Sequence, residues 1–132
     1  FLCVNNKLTT LQGAPQEVGG DFICYHNMLT NLQGAPREVG GNFDCCHNRL
    51  VSLQGAPHRV GSNFLCFKNK LTTLEGAPRE VEGSFDCNNN QLISLQGASK
   101  IVKGDFWCVN NAIQFKEKDV RKNCEVKGNI FV

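Results

Sequence analysis

Residues 22–42 read FICYHNMLTNLQGAPREVGGN, and residues 43–63 read FDCCHNRLVSLQGAPHRVGSN. The two lines agree at the positions that matter for packing. Phe opens each, Cys follows two residues later, and Asn, two Leu, Gly-Ala-Pro and Val come in fixed order. The register extends in both directions. Phe occurs at 1, 22, 43, 64, 85 and 106, a constant step of 21 residues, with Cys3, Cys24, Cys45, Cys66, Cys87 and Cys108 in step. Asn6 to Asn111 and Leu8 to Leu92 keep the same spacing, Ile113 replacing Leu in the sixth unit, and Leu11 to Leu95 complete the apolar set. A repeat of about 20 to 50 residues is the signature of a solenoid, whose coils bury their apolar edges only by stacking.

The unit F-x-C-x-x-N-x-L-x-x-L-x-G-A-P-x-x-V predicts local structure. F-x-C alternates like a short strand with Phe and Cys pointing inward. Asn ends the strand and satisfies backbone groups of the next turn. Gly-Ala-Pro turns the chain at the far side, and Val18, Val39, Val60, Val81 and Val102 bring it back inward. The expected fold is a repeat solenoid over residues 1–113, with a parallel sheet of short strands on one face and coil or extended return segments. Residues 114–132 break the period. QFKEKDVRKNC places acids before bases and Val120 four residues from Cys124, which suits one short helix. VKGNIFV at 126–132 copies VKGDFWC at 102–108, so a last strand should close the stack after the helix. The first coil has no such cap, and upstream coils, another domain or a second copy are expected to cover Phe1 and Cys3.

The F-x-C-x-x-N-x-L-x-x-L run resembles the L-x-L-x-x-N-x-L-x-x-L core of leucine-rich repeats, with Phe and Cys in the first two Leu places. The resemblance spans nearly the whole chain and is nearest the short bacterial kind. The wording LQGAPREVGG before F-x-C, and the closing DVRKNCEVKGNIFV, resemble repeat proteins encoded by large tailed bacteriophages. That resemblance implies action on a protein of a bacterial host, in its cytoplasm. One departure stands out: Val lies four residues before Phe where leucine-rich repeats place an apolar residue three before, so the return path should differ.

Composition narrows the function. The net charge is +2 with acids and bases interleaved, which gives no support to nucleic acid or an anionic membrane as partner. No run approaches the roughly 18 apolar residues of a membrane span. Six of the eight cysteines repeat at one inward strand position, Cys46 and Cys124 lie outside it, and no C-x-x-C pair occurs. They read as small buried hydrophobes rather than disulfides or metal ligands, and free thiols point to a reducing cytoplasm. No cofactor is expected.

Comparison between repeats locates the candidate site. Residues that do not change hold the coil together; residues that change face solvent or a partner. Between Phe and Cys the chain carries Leu2, Ile23, Asp44, Leu65, Asp86 and Trp107; after Cys it carries Val4, Tyr25, Cys46, Phe67, Asn88 and Val109. A sheet face that met only water would be polar at these places. Ile23, Tyr25, Leu65, Phe67 and Trp107 instead form an apolar and aromatic patch, interrupted by Asp44 and Asp86 and edged by His26, His47 and Lys68. The expected function is a non-enzymatic module that binds a protein through this face. The alternative is a structural or oligomerisation repeat domain of a larger protein. Cys46, His26 and His47 share one neighbourhood and raise metal binding or a Cys–His nucleophile as a third reading, which lacks an orienting group and a pocket.

Overall fold

The computed structural model describes residues 1–132 and shows a parallel β-solenoid: five turns of 21 residues followed by a longer sixth coil. Two ladders run its length. The first contains β2 (Phe22–Ile23), β4 (Phe43–Asp44), β6 (Phe64–Leu65), β8 (Phe85–Asp86), β10 (Phe106–Trp107) and β12 (Ile130–Phe131), all parallel, and Leu2 bridges to Ile23 at its start. The second contains β1 (Glu17–Val18), β3 (Glu38–Val39), β5 (Arg59–Val60), β7 (Glu80–Val81), β9 (Ile101–Val102) and β11 (Glu125–Val126). The return segment expected as coil thus carries a sheet of its own. Placing Val four residues before Phe gives Val an inward position in that second ladder, with the preceding residue facing out.

Each strand is two residues long, so regular secondary structure holds little of the stack by itself. Of 63 backbone hydrogen bonds, 50 lie outside helices and strands, and most of these join one coil to the next. Between the second and third coils they include Cys24 N–H to Asp44 O (2.8 Å), Arg49 N–H to Leu29 O (2.9 Å), Leu32 N–H to Gln54 O (2.9 Å) and His58 N–H to Arg37 O (2.8 Å).

Side chains repeat the same logic. Phe1, Phe22, Phe43, Phe64, Phe85 and Phe106 stack in one column with centroid separations of 5.0, 5.4, 5.5, 5.1 and 5.2 Å. All but Phe1 are completely buried, and the Cys, Leu and Val columns are buried from the second coil onward. Cys3, Leu8 and Val18 are part-exposed, and Ile113, expected to continue a Leu column, is 47% exposed where the helix replaces the regular coil. The eight cysteines are free. Burial pushes the Cys24, Cys45, Cys66 and Cys87 thiols far up, so they stay protonated, and Cys45, Cys66 and Cys87 donate weakly to carbonyls of the next coil.

The Asn column is structural, but it binds backward rather than forward. Asn48 Oδ1 accepts the Leu29 N–H of the preceding coil (3.1 Å), while its Nδ2 faces the carbonyls of Cys24, Cys45 and Cys46 at 3.1 to 3.2 Å. Asn27, Asn69 and Asn90 do the same. A second polar column escaped the sequence reading. The residue before each Phe offers an oxygen to the same position one coil on: Asp21 to Asn42 N–H, Asn42 to Asn63, Asn63 to Ser84, Ser84 to Asp105, and Asp105 to Asn129. The Gly-Ala-Pro corner is a tight turn in which Ala35 N–H returns to Leu32 O (3.0 Å). Its Gly is obligatory twice over. Gly34 has φ +91°, and a Cβ there would lie 2.6 Å from the Leu11 carbonyl carbon of the coil below.

The helix α1 (Glu117–Asn123) replaces the Leu and Gly-Ala-Pro segment of the sixth coil, as its sequence predicted. Glu117 and Asp119 occupy its first turn, Arg121 and Lys122 its last, and Val120, Cys124 and Phe115 are buried against the end of the core. The chain then re-enters both ladders, and Ile130 and Phe131 pair with Phe106 and Trp107. At the other end Phe1 is 50% exposed and Leu2 74%. Ser99, which stands where four earlier coils have Pro, buries a hydroxyl without a hydrogen-bond partner.

Candidate functional site: the outer face of the first sheet

Pairing in the first ladder sets Ile23 beside Asp44, Asp44 beside Leu65, Leu65 beside Asp86, Asp86 beside Trp107 and Trp107 beside Phe131. The sequence-predicted row therefore exists as a continuous stripe. Its members are half-buried rather than open, because neighbouring rungs in a parallel ladder stand only about 4.8 Å apart and cover one another. Ile23, Tyr25, Leu65 and Phe67 are all in this state, as are Asp44 and Asp86. Trp107 is partly covered by Phe131, whose ring stacks on it at 3.7 Å and 13°. Phe131, 37% exposed, was missed as a site residue although VKGNIFV places it in the Trp107 register.

One correction concerns the residues after Cys. Cys46 was expected to face outward as part of the contact surface, yet it is only 4% exposed. A small side chain in the row between Tyr25 and Phe67 is covered where a large one would project. Its thiol is pushed far up, chiefly by burial and then by hydrogen bonding to, and the charge of, Asp44. The protonated thiol is a poor nucleophile and a poor metal ligand. His26 and His47 do meet: their rings stack at 4.3 Å and 26°. Tyr25 packs edge-on against His26 (5.4 Å), and His47 edge-on against Phe67 (5.6 Å), which gives a continuous run of four rings. No three His, Cys, Asp or Glu side chains are grouped so as to hold a metal ion.

Electrostatics distinguish the members. His47 is held below the usual imidazole range, first by burial and then by the positive charges of His26 and Lys68, with Asp44 opposing. Asp44 and Asp86 direct a carboxylate oxygen at nearby backbone, accepting from Cys46 N–H (3.0 Å) and Asn88 N–H (2.9 Å). Burial raises the Asp86 carboxyl despite that bond, and the charge of Asp44 adds to the effect.

The residues at the strand exit carry a further feature that alternation could not reveal. Asn5, His26, His47, Lys68, Asn89 and Asn110 all adopt left-handed backbone, with φ between 50° and 55°. In this region Asn, Asp and His are favoured over other side chains. Five coils obey that preference, and Lys68 does not. On the return side four charged residues are paired, Arg59 with Glu80 (3.4 Å) and Glu82 (3.7 Å), and Lys103 with Glu82 (2.6 Å). A depression of about 250 Å³ at the C-terminal end, lined by Cys108, Asn111, Ile113 and Val132 among others, contains no His or carboxylate.

The chain is a parallel β-solenoid whose outward residues on the first sheet vary from coil to coil. Set against known proteins, it matches no family model, no curated protein and no solved structure. No helix is long and apolar enough to cross a membrane.

Proposed function

We propose that this solenoid is a non-enzymatic protein-binding module that presents the outer face of its first sheet to another protein. The observation that carries the reading is the contrast between columns. Phe, Cys, Asn, Leu and Val are repeated because each coil must fit the next, whereas the outward residues are released from that duty. There the chain places Ile23, Tyr25, Leu65, Phe67 and Trp107, its only Tyr and its only Trp among them. Such side chains, held on a rigid scaffold, bind with little loss of conformational entropy. The leucine-rich-repeat kinship and the phage origin belong to the same proposal: a phage protein that engages a bacterial host protein in the host cytoplasm, with inhibition as one consequence. The unpaired, protonated thiols suit a reducing compartment.

Tyr25→Ala and Phe67→Ala test the reading. Each is expected to leave the fold intact by circular dichroism and to weaken capture of partner from bacterial lysate by about 1 kcal/mol or more. If the double variant retains the same proteins at the same level as the parent, the face is not the binding site. The half-buried apolar stripe that includes Trp107 also supports a second reading, a structural or oligomerisation repeat domain of a larger protein. Sedimentation over a concentration series separates the two: a tight oligomer supports self-assembly, and a monomer supports an external partner.

A further inference from the structure

One edge of the proposed binding face is basic over four coils and neutral over the next two. The left-handed row contributes His26, His47 and Lys68, and the row two residues further along contributes Lys7, Arg49 and Lys70. In the fifth and sixth coils the same two rows hold Asn89, Gln91, Asn110 and Ala112. All of the basic residues but the half-buried His47 are exposed. None of Lys7, Arg49, Lys68 and Lys70 lies in a salt bridge, a state they share with Arg37, Arg79 and Lys100 on the return side. What sets the edge apart is that no carboxylate side chain stands in its two rows.

Backbone physics supplies a second indication. A residue at φ near +50° is best as Gly, Asn, Asp or His, and the repeat uses Asn or His at five of the six places. Lys68 alone forgoes that preference, and it lies on the basic edge. Departures from a locally favoured residue tend to mark function rather than folding. After burial, which is the larger cause, His26 and Lys68 both act to lower the His47 proton affinity, and Asp44 opposes them only in part. A partner that brought carboxylates would relieve this repulsion.

We infer that the partner is an acidic protein segment. Its apolar side chains rest on Ile23, Tyr25, Leu65 and Phe67, and its carboxylates reach over the edge formed by Arg49, Lys68 and Lys70. The inference rests on the protein-binding reading above and adds the partner's chemistry. Asp44 and Asp86 set the orientation. They lie within the stripe and repel a carboxylate placed at its centre, so the acidic groups are directed to the edge. The same two residues disfavour a polyanion lying across the whole face, and so favour an acidic polypeptide over a nucleic acid.

Fluorescence anisotropy with the full chain tests the assignment on four labelled probes. These are a peptide alternating Leu and Glu, its Leu–Lys and Ser–Glu counterparts, and an oligothymidylate of matched charge. The Leu–Glu peptide is expected to bind best, to weaken as salt rises, and to lose about tenfold in affinity to Arg49→Glu/Lys70→Glu. Tyr25→Ala/Phe67→Ala should weaken it as well. A Leu–Lys peptide that binds best and depends on Tyr25 and Phe67 would leave the face reading standing and overturn the acidic partner. Equal binding of the Ser–Glu peptide or the oligothymidylate would reduce the edge to a general anion surface and overturn it too. Indifference of the Leu–Glu complex to charge reversal, or no complex at millimolar peptide, has the same consequence.

Discussion

Lys68 is a lysine where the chain's own geometry asks for asparagine. With φ at 52° its side chain sits in the left-handed region, which Asn5, Asn89 and Asn110 occupy at lower cost because a short amide hydrogen-bonds locally. Lys68→Asn is therefore expected to stabilise the fold by about 0.5–1 kcal/mol, read as a rise in urea midpoint with unchanged slope. The same substitution should weaken the Leu–Glu peptide, so stability and binding move in opposite directions. A variant that gains nothing would show that the left-handed turn tolerates lysine fully. The sequence named His26, His47 and Lys68 as the edge of the patch, but not the sign of φ there. Periodicity reports which way a side chain points in a strand and is silent once the strand ends. Cys46 failed for a related reason: alternation gives direction, whereas exposure depends on the bulk of the side chains in adjacent coils.

The elements are columns rather than strands, and the Asn column shows how they work. Removing the Asn48 amide takes an acceptor from Leu29 N–H and donors from three carbonyls, in a place sealed from water. Asn48→Ala should cost about 2–3 kcal/mol, since buried backbone groups would be left unpaired. Asn6 is the internal control. It makes one exposed bond, to Val4 O (3.0 Å), so Asn6→Ala should stay within about 0.5 kcal/mol. Equal losses in thermal or denaturant melts would mean that the amide acts through its own turn and not between coils. The first sheet was legible because F-x-C alternates; the second was not, because Glu-Val and its equivalents are two-residue strands with no alternation to read. The polar column of Asp21, Asn42, Asn63, Ser84 and Asp105 was hidden by its chemistry. Asp, Asn and Ser look interchangeable with loop residues until a coil below supplies the N–H that each accepts.

At the scale of the molecule, a stack in which each coil touches only its neighbours has stability that is close to a sum of coil and interface contributions. A lesion then matters according to where it falls. Phe64 is fully buried and stacked on both sides, 5.5 Å from Phe43 and 5.1 Å from Phe85, whereas Phe1 has one stacking neighbour and is 50% exposed. Phe64→Ala removes two interfaces at once and should cost about 3–5 kcal/mol. It leaves two short stacks on either side of the cavity, the second packed against α1 and the first ending at the half-exposed Phe1. Hydrogen exchange should accordingly rise first in residues 1–63 and later in residues 85–132. Phe1→Ala frays one end only and should cost less than about 1 kcal/mol, with exchange changed over the first coil alone. Uniform acceleration along the chain in both variants would show that the solenoid unfolds as one cooperative unit. In that case the outer face could not loosen locally when it binds.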